Sequence, residues 1–205
     1  ATPMPRSLAL ACFDGWTEAK IDGCPVEKTV RGHLLVAGNR QGVSSIVRGH
    51  LKSGKRVIFL YPAVKNTEKS VLESFARLDE IFPGQVVALH GGLKSEQKAQ
   101  AIAEFAAGKK PIAVASTVIE VGVDIADIGC MVVSKADRFG VAQLHQLRGR
   151  LVRNGGVADF VMLVDQEPSK ATRQRLEAVQ RITDGFELAE QDMLLRGFGD
   201  VLGDS

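Results

Sequence analysis

Short apolar runs alternate along the chain with longer segments of helical periodicity from about residue 43 onward. Each run has four or five apolar residues in succession, which is typical of strands buried on both faces of a parallel sheet. The runs cover residues 57–61, 86–89, 112–115, 130–133 and 160–164. The segments between them place Leu, Val, Ile and Phe at helical spacing. They predict helices over residues 42–52, 69–82, 95–107 and 141–149, with Ser95 as a capping residue.

This alternation of strands and helices predicts an α/β fold with a parallel sheet flanked by helices. Ligands bind at the carboxyl ends of such strands, and the segments after these ends are polar or rich in Gly. They are residues 62–66, 90–93, 116–124 and 134–140. After residue 165 the pattern changes and predicts two helices, over residues 169–182 and 187–196. We therefore expect a connecting segment with a strand or two over residues 1–42, a sheet domain over 43–165 and a helical hairpin over 166–205.

The composition adds a few limits to this picture. Hydrophobic residues make up 45% of the 205 residues and charged residues 24%, so the chain can bury a core. A net charge of +2 gives no general indication of nucleic-acid binding, which would need local clustering of basic residues. Three cysteines without CxxC spacing predict reduced thiols in a cytoplasmic protein. There is no signal-peptide pattern and no apolar run of membrane length, and the missing initial Met leads us to expect part of a longer protein.

Residues 49–56 (GHLKSGKR) nearly match the phosphate-binding loop GxxxxGK[ST]. Arg56 stands where that pattern has the hydroxyl that binds magnesium. The context is also reversed, because a phosphate loop follows a strand and opens a helix. This segment instead closes a predicted helix and leads into a predicted strand. We therefore interpret it as an ordinary helix-to-strand turn.

Two other segments carry candidate phosphate chemistry. Residues 116–124 (STVIEVGVD) follow a predicted strand, and their hydroxyls and backbone amides suit phosphate oxygens, although a plain helix start would look similar. In residues 143–153 (QLHQLRGRLVR), Arg148, Arg150 and Arg153 crowd a helix end. Three cations so close repel one another unless an anion neutralises them, and the planar guanidinium suits phosphate. The alternative is a solvated basic helix end, which the helix dipole would favour.

His90 follows another predicted strand, within residues 89–92 (LHGG). A single His at such a position is more often structural, and the sequence shows no partner for it as a catalytic base. The two glycines that follow it expose backbone amides. This arrangement predicts contact with nucleic-acid phosphates.

Taken together, these segments resemble the RecG group of superfamily 2 DNA translocases. Residues 1–6 (ATPMPR) resemble helicase motif III, residues 116–124 resemble motif V and residues 143–153 resemble motif VI. Residues 139–150 (FGVAQLHQLRGR) are a highly specific part of the likeness. Residues 184–197 (DGFELAEQDMLLRG) are equally specific, and they resemble the helical-hairpin translocation motif shared by RecG and the transcription-repair coupling factor.

The resemblance implies a RecA-like domain that forms one half of an ATP-driven motor. The family remodels branched DNA, such as stalled forks and Holliday junctions, in recombination and repair, at the nucleoid. An upstream RecA-like domain of the same polypeptide would hold the phosphate loop and the Mg²⁺, so this chain alone would hold neither ATP nor Mg²⁺ and would be inactive. By motif position, the resemblance assigns the ATP phosphates to Arg150 and Arg153, the nucleotide cleft to Gly122, Asp124 and Gln146, the DNA backbone to His90, Gly91 and Thr117, and coupling to the hairpin to Arg175 and Arg196.

Three positions depart from the family pattern. Val152 stands where the family has Gly in motif VI, Phe198 replaces the Pro of the hairpin loop, and the chain ends at Ser205, before the Gln-containing loop that completes the motif. A degenerate motif VI would favour an alternative function, a nucleic-acid-binding module without catalysis. The motor of a transcription-repair coupling factor is a further alternative, and residues 183–186 (TDGF) argue against it because they are more similar to RecG.

Overall fold

Six parallel strands form one sheet in the described parts of the chain, in the order β1–β6–β5–β2–β4–β3. The structure, a computed structural model, describes residues 27–38, 40–62, 67–116, 127–151 and 155–196, with residues 40, 195 and 196 described by their backbone alone. The strands are β1 (Lys28–Val36), β2 (Arg56–Tyr61), β3 (Val86–Leu89), β4 (Ile112–Ser116), β5 (Ile128–Val133) and β6 (Gly156–Val164). The helices are α1 (Arg40–Lys52), α2 (Thr67–Ile81), α3 (Ser95–Ala106), α4 (Val141–Gly149), α5 (Lys170–Arg181) and α6 (Gly185–Arg196), and a 3-10 turn (Ala136–Arg138) precedes α4.

Apolar side chains cover both faces of the sheet, because successive residues of a strand point to opposite sides. Every residue of β4 is buried. Ile112 and Val114 belong to the same apolar cluster as Val71 of α2, whereas Ala113 belongs to the cluster that contains Phe105 of α3. Helix α1 lies on the face of α2, and α4, α5 and α6 lie on the face of α3. The predicted α/β fold, a parallel sheet flanked by helices, is confirmed.

The predicted strands lie where the apolar runs are, but four of them are longer than the runs. Strand β2 begins at Arg56, β4 ends at Ser116, β5 begins at Ile128 and β6 begins at Gly156. These residues continue the backbone ladder, as in the pairs Tyr61↔Ser116 and Lys28↔Gly156. The ladder uses only backbone groups, so an apolar pattern could not show where it ends.

Strand β1 lies in the part of the chain that we expected to be a connecting segment. Among the described strands it lies at the edge of the sheet, and it pairs with β6 in parallel over its whole length. The described part of the sheet therefore begins at Lys28 and not near residue 43. Helix α5 packs closely against this strand. A Cβ at Gly32 would lie 2.8 Å from Cγ of Gln180, and Nε2 of Gln180 donates a hydrogen bond of 2.9 Å to the Gly32 carbonyl.

The helix starts show which residues act as caps. The expectation that Ser95 caps α3 is wrong, because the capping position is Lys94, whose backbone N–H donates to Oε1 of Gln97 at 3.1 Å. Helix α6 begins two residues earlier than predicted because Asp184 caps it. Its Oδ1 accepts from the backbone N–H of Phe186 at 2.8 Å and of Glu187 at 2.9 Å. None of the helices within the described ranges is long and apolar enough to cross a bilayer.

Candidate functional site

The carboxyl ends of the parallel strands meet at one edge of the sheet, which we call the carboxyl edge. Residue 90 follows β3 there, Ser134 and Lys135 follow β5, and Asp165 follows β6. Lys135 adopts the left-handed backbone conformation, with φ 53° and ψ 50°, which is uncommon outside glycine. Its Nζ lies 3.7 Å from Oδ2 of Asp165. This edge is where sequence reasoning placed the ligand-binding segments.

A cavity of about 560 Å³ opens at the carboxyl edge, between α1 and α2. Tyr61, Ser134, Lys135 and Asp165 line it at the strand ends. Apolar side chains, among them Phe59 and Leu163, line its floor. None of the predicted site residues that the structure describes belongs to this lining.

His90 is buried at the end of β3, with 7% of its surface exposed. Sequence reasoning found no partner for it, but the structure places Oε1 of Glu68 2.9 Å from its Nδ1. The two atoms lie close together but lack the alignment of a hydrogen bond. Glu68 also covers Gly92, where a Cβ would lie 2.2 Å from the same oxygen. The imidazole is therefore held against α2, whereas Gly91 is exposed and its backbone faces open space.

The predicted nucleotide contacts are only partly within the described residues. Arg150 immediately follows α4, is half-buried, and donates its backbone N–H to the Leu147 carbonyl at 3.1 Å. Gln146 is exposed on α4. Four other predicted site residues lie outside the described residues, namely Thr117, Gly122, Asp124 and Arg153. The structure therefore describes Gln146 and Arg150 on one helix and its end, and leaves the remaining assignments as predictions.

Arg148 is buried, with only 6% of its surface exposed. Its guanidinium donates to the backbone carbonyls of Val179 and Thr183 and to Nδ1 of His145, the last at 3.0 Å. We call these four residues the Arg148 junction. Neither of the two interpretations of this segment, a shared anion or a solvated helix end, describes Arg148. It is buried, and its guanidinium donates to carbonyls of α5 and of the turn before α6.

Protonation within the Arg148 junction follows from its burial. Burial lowers the pKa of Arg148. Burial, followed by the neighbouring Arg148 charge, lowers the pKa of His145. Because Nδ1 of His145 accepts from Arg148, the imidazole carries its proton on Nε2. The junction therefore contains one buried cation and one neutral ring.

Arg175 connects the hairpin to the turn that precedes α4. One of its terminal nitrogens donates to the Asp137 carbonyl at 2.9 Å, and its Nε is buried without a hydrogen-bond partner in the described parts of the chain. The other predicted coupling residue, Arg196, is the last residue of α6, and its side chain lies outside the described residues. Arg175 thus connects α5 to the turn before α4, and its coupling role stays a prediction.

Sequence reasoning missed a cluster of buried polar residues around Asp159 on β6, which is 2% exposed. Oδ1 of Asp159 accepts from Nε of Arg31 at 2.9 Å and Oδ2 accepts from its terminal nitrogen at 2.7 Å. Nε2 of His33 and Nε2 of His50 each lie 2.6 Å from a carboxylate oxygen. We call these four residues the Asp159 cluster. One signal was available, because Arg31 and His33 are two apart and so share a face of a strand.

The charge state of the Asp159 cluster follows from these hydrogen bonds. Burial by itself would raise the pKa of Asp159, but the hydrogen bonds from Arg31, His33 and His50 lower it to about 2. The ionised carboxylate only accepts hydrogen bonds, so both imidazoles present an Nε2 proton to it. No group of ligands suited to a metal ion occurs among the described residues. The cluster is therefore a hydrogen-bonded ion cluster at the edge of the sheet.

Comparison with known proteins identifies the family. Residues 40–155 match the helicase conserved C-terminal domain, which is more than half of the chain. The chain belongs to the helicase conserved C-terminal domain family. Over 99% of its length it is 38% identical to the ATP-dependent DNA helicase RecG of Synechocystis and 40% identical to the RECG1 homologue of Arabidopsis thaliana. It spans about a quarter of the length of these relatives, 25% and 22% respectively.

Solved structures give the same result. A structure of RecG bound to a three-way DNA junction matches 98% of this chain and 27% of that chain, with a TM-score of 0.75 and 35% identity. The C-terminal domain of the DEAD-box protein Dbp5 matches 75% of this chain and 84% of that chain, with a TM-score of 0.53 and 18% identity, which shows the fold alone. The predicted resemblance to RecG and the RecA-like fold are confirmed.

Proposed function

We propose that this chain is the second motor domain of an ATP-dependent DNA translocase that remodels branched DNA, such as forks and Holliday junctions. One observation carries the proposal: the RecG likeness extends over 99% of the chain and includes both α4 and the α5–α6 hairpin. A relative of the same fold has been solved on a three-way DNA junction. The proposed substrate is therefore branched DNA, and the proposed partner is an upstream RecA-like domain of the same polypeptide.

In this proposal, Arg150 and Arg153 act on ATP that an upstream domain holds with Mg²⁺. Arginines placed on a transferring phosphoryl group stabilise the negative charge that develops there. Arg150 suits this role because it follows directly from a helix anchored in the core by Leu144, which is fully buried. Gly122, Asp124 and Gln146 would line the same cleft. Of these residues, the exposed Gln146 has a described position that a partner domain can reach.

The DNA backbone would bind at the carboxyl edge, through residues after β3 and β4. Gly91 supports this assignment because its backbone is exposed and a phosphate can approach it without steric obstruction. His90 would act through its backbone, because its imidazole is buried beside Glu68. Thr117 lies outside the described residues, and its assignment to the DNA backbone rests on its motif position alone.

In this proposal, three arginines couple closure of the ATP cleft to movement of the α5–α6 hairpin. Arg175 contacts the turn before α4, and Arg148 holds α4 to the hairpin at a second point. Arg196 completes the set by resemblance. Because Arg150 follows α4 directly, a shift of this helix on ATP binding would reach the hairpin through Arg148 and Arg175.

The test is ATP turnover by the chain joined to its upstream domain, in the presence of branched DNA. We expect no turnover by the 205-residue chain alone. In the longer protein, Arg150→Ala should lower turnover on the order of 10³-fold or more. Arg77→Ala, at an exposed arginine on α2, is the matched control and should leave turnover unchanged.

The outcomes separate the proposal from its alternative. Hydrolysis by the chain alone, or full activity of Arg150→Ala, would reject the shared ATP site. If the longer protein binds DNA in a salt-dependent way but never hydrolyses ATP, the chain belongs to a nucleic-acid-binding module without catalysis.

A further inference from the structure

The near-match to a phosphate loop, residues 49–56, lines a pocket that the proposed motor function does not use. The pocket has a volume of about 420 Å³ and lies between the C-terminal half of α1 and the amino-terminal halves of β1 and β6. Its lining from the near-match consists of Gly49, His50, Ser53 and Lys55. Arg31, Ser45 and Asp159 also contribute polar groups. The segment does not form a phosphate loop for ATP, but several of its polar residues line the same pocket.

Lys55 is a fixed cation at this pocket. Its Nζ donates to the Val157 carbonyl at 2.7 Å, and its stem packs against Gly129, where a Cβ would lie 2.6 Å from Cδ of Lys55. An ammonium group has three donors, so two remain for a ligand. Because the side chain is already held in place, binding costs little conformational entropy.

Arg31 is a second fixed cation beside the same space. Its Nε and one terminal nitrogen bind Asp159, and its side chain remains 59% exposed. The guanidinium has five N–H donors, so it can bind an anion while it keeps its contact with Asp159. The exposed Ser45 on α1 adds a hydroxyl to the lining.

Two features of the pocket could repel an anion, and both are neutralised. The Asp159 carboxylate is already hydrogen-bonded by Arg31 and by the two histidines of the Asp159 cluster. The last carbonyls of α1 carry the negative end of the helix dipole. They are capped, because Ser53 N–H donates to the Gly49 carbonyl at 3.2 Å and Lys55 N–H donates to the His50 carbonyl at 3.0 Å.

We propose that this pocket binds a phosphate group, with Arg31 and Lys55 as its charged ligands and Ser45 as a neutral donor. A nucleic-acid backbone and a free phosphate ion both carry this chemistry. The pocket lies toward the amino ends of the strands, whereas the proposed ATP and DNA contacts lie at the carboxyl edge. The proposal therefore stands independently of the motor function.

The test compares Lys55→Gln with Lys52→Gln in the full 205-residue chain. Lys52 is exposed in the last turn of α1 and is not part of the pocket lining, so it is the matched control. Fluorescence anisotropy with a short DNA duplex, at several salt concentrations, measures binding to a nucleic-acid backbone. NMR titration with inorganic phosphate measures binding of the free ion. Lys55→Gln should weaken one of these by about three- to tenfold, and loss of a DNA phosphate contact should also reduce the salt slope by about one.

Each result decides the proposal. Weaker DNA binding by Lys55→Gln alone assigns the pocket to a nucleic-acid backbone, and loss of only the phosphate response assigns it to the free ion. Equal behaviour of the two variants in both titrations overturns the proposal. If Lys55→Gln does not fold, Ser45→Glu replaces it, because a carboxylate at this exposed position would repel phosphate. Unchanged binding by Ser45→Glu then overturns the proposal.

Discussion

The Asp159 cluster and the Arg148 junction both bury a charge, but they neutralise it in different ways. In the cluster, the partners are ionisable side chains on β1 and α1. In the junction, the partners are two backbone carbonyls and a neutral imidazole. A carbonyl neither titrates nor changes with mutation. The hydrogen bonds of the junction therefore depend on one charged side chain, Arg148, whereas the charge balance of the cluster depends on several ionisable side chains and on pH.

The largest expected effect comes from removing the carboxylate of the Asp159 cluster. Asp159→Ala leaves Arg31 and two imidazoles without their common acceptor, so we expect a loss of about 3–5 kcal/mol in the free energy of unfolding. Urea denaturation measures this loss. Asp165→Ala is the control, because the side chain of Asp165 is 67% exposed and pairs with Lys135 at 3.7 Å, and its loss should cost less than about 1 kcal/mol. Equal losses in the two variants would show that the cluster does not stabilise the sheet.

A smaller effect is expected from removing the guanidinium of the Arg148 junction. Arg148→Met keeps the length of the side chain but leaves the carbonyls of Val179 and Thr183 without their donor, so we expect a loss of about 1–3 kcal/mol. Hydrogen exchange should become faster in α5 and α6 than in the strands of the sheet. Arg181→Met is the matched control, because the side chain of Arg181 is 74% exposed. If exchange in the hairpin is the same in both variants, another contact attaches the hairpin to α4.

The smallest expected effect is a difference between the two regions in how their contribution to the unfolding free energy depends on pH. The pKa of Asp159 is lowered to about 2, against about 3.9 for an unfolded Asp. A lowered pKa in the folded state contributes stability that is present above pH 4 and is lost as the pH falls toward 2. The difference in unfolding free energy between the native chain and Asp159→Ala should therefore shrink between pH 4 and pH 2. The carbonyl partners of Arg148 do not titrate, so the difference for Arg148→Met should change less over this range. A parallel decline in both differences would contradict the assignment.

The sequence predicted the sheet and the helices well because their signals are local. Residues 86–89 and 141–149 have the predicted bounds, since an apolar run and a helical period are visible within a few residues. Strand β1 was expected only as a strand or two somewhere in the first 42 residues. Lys28, Arg31 and His33 interrupt the apolar pattern of this strand, so the sequence did not predict its position at the edge of the sheet.

The candidate site was less predictable because its partners are distant in the chain. The sequence shows that Arg148 and Arg150 are close together. The carbonyls that accept hydrogen bonds from Arg148, however, lie more than 30 residues away along the chain. Asp159 lies inside a buried strand, and its partners are more than 100 residues away. A linear pattern shows which residues are charged, but only the fold shows which of them meet.

The parallel pairing of β1 and β6 has a mechanical consequence. The chain enters the sheet at Lys28, and the hairpin follows the end of β6 at Val164. Tension between these two points pulls the two strands in opposite directions along their length. The hydrogen bonds of nine paired residues, from Lys28↔Gly156 to Val36↔Val164, then share the load together in shear. They do not break one after another, so this edge of the sheet resists stretching more strongly than an unzipping hairpin would.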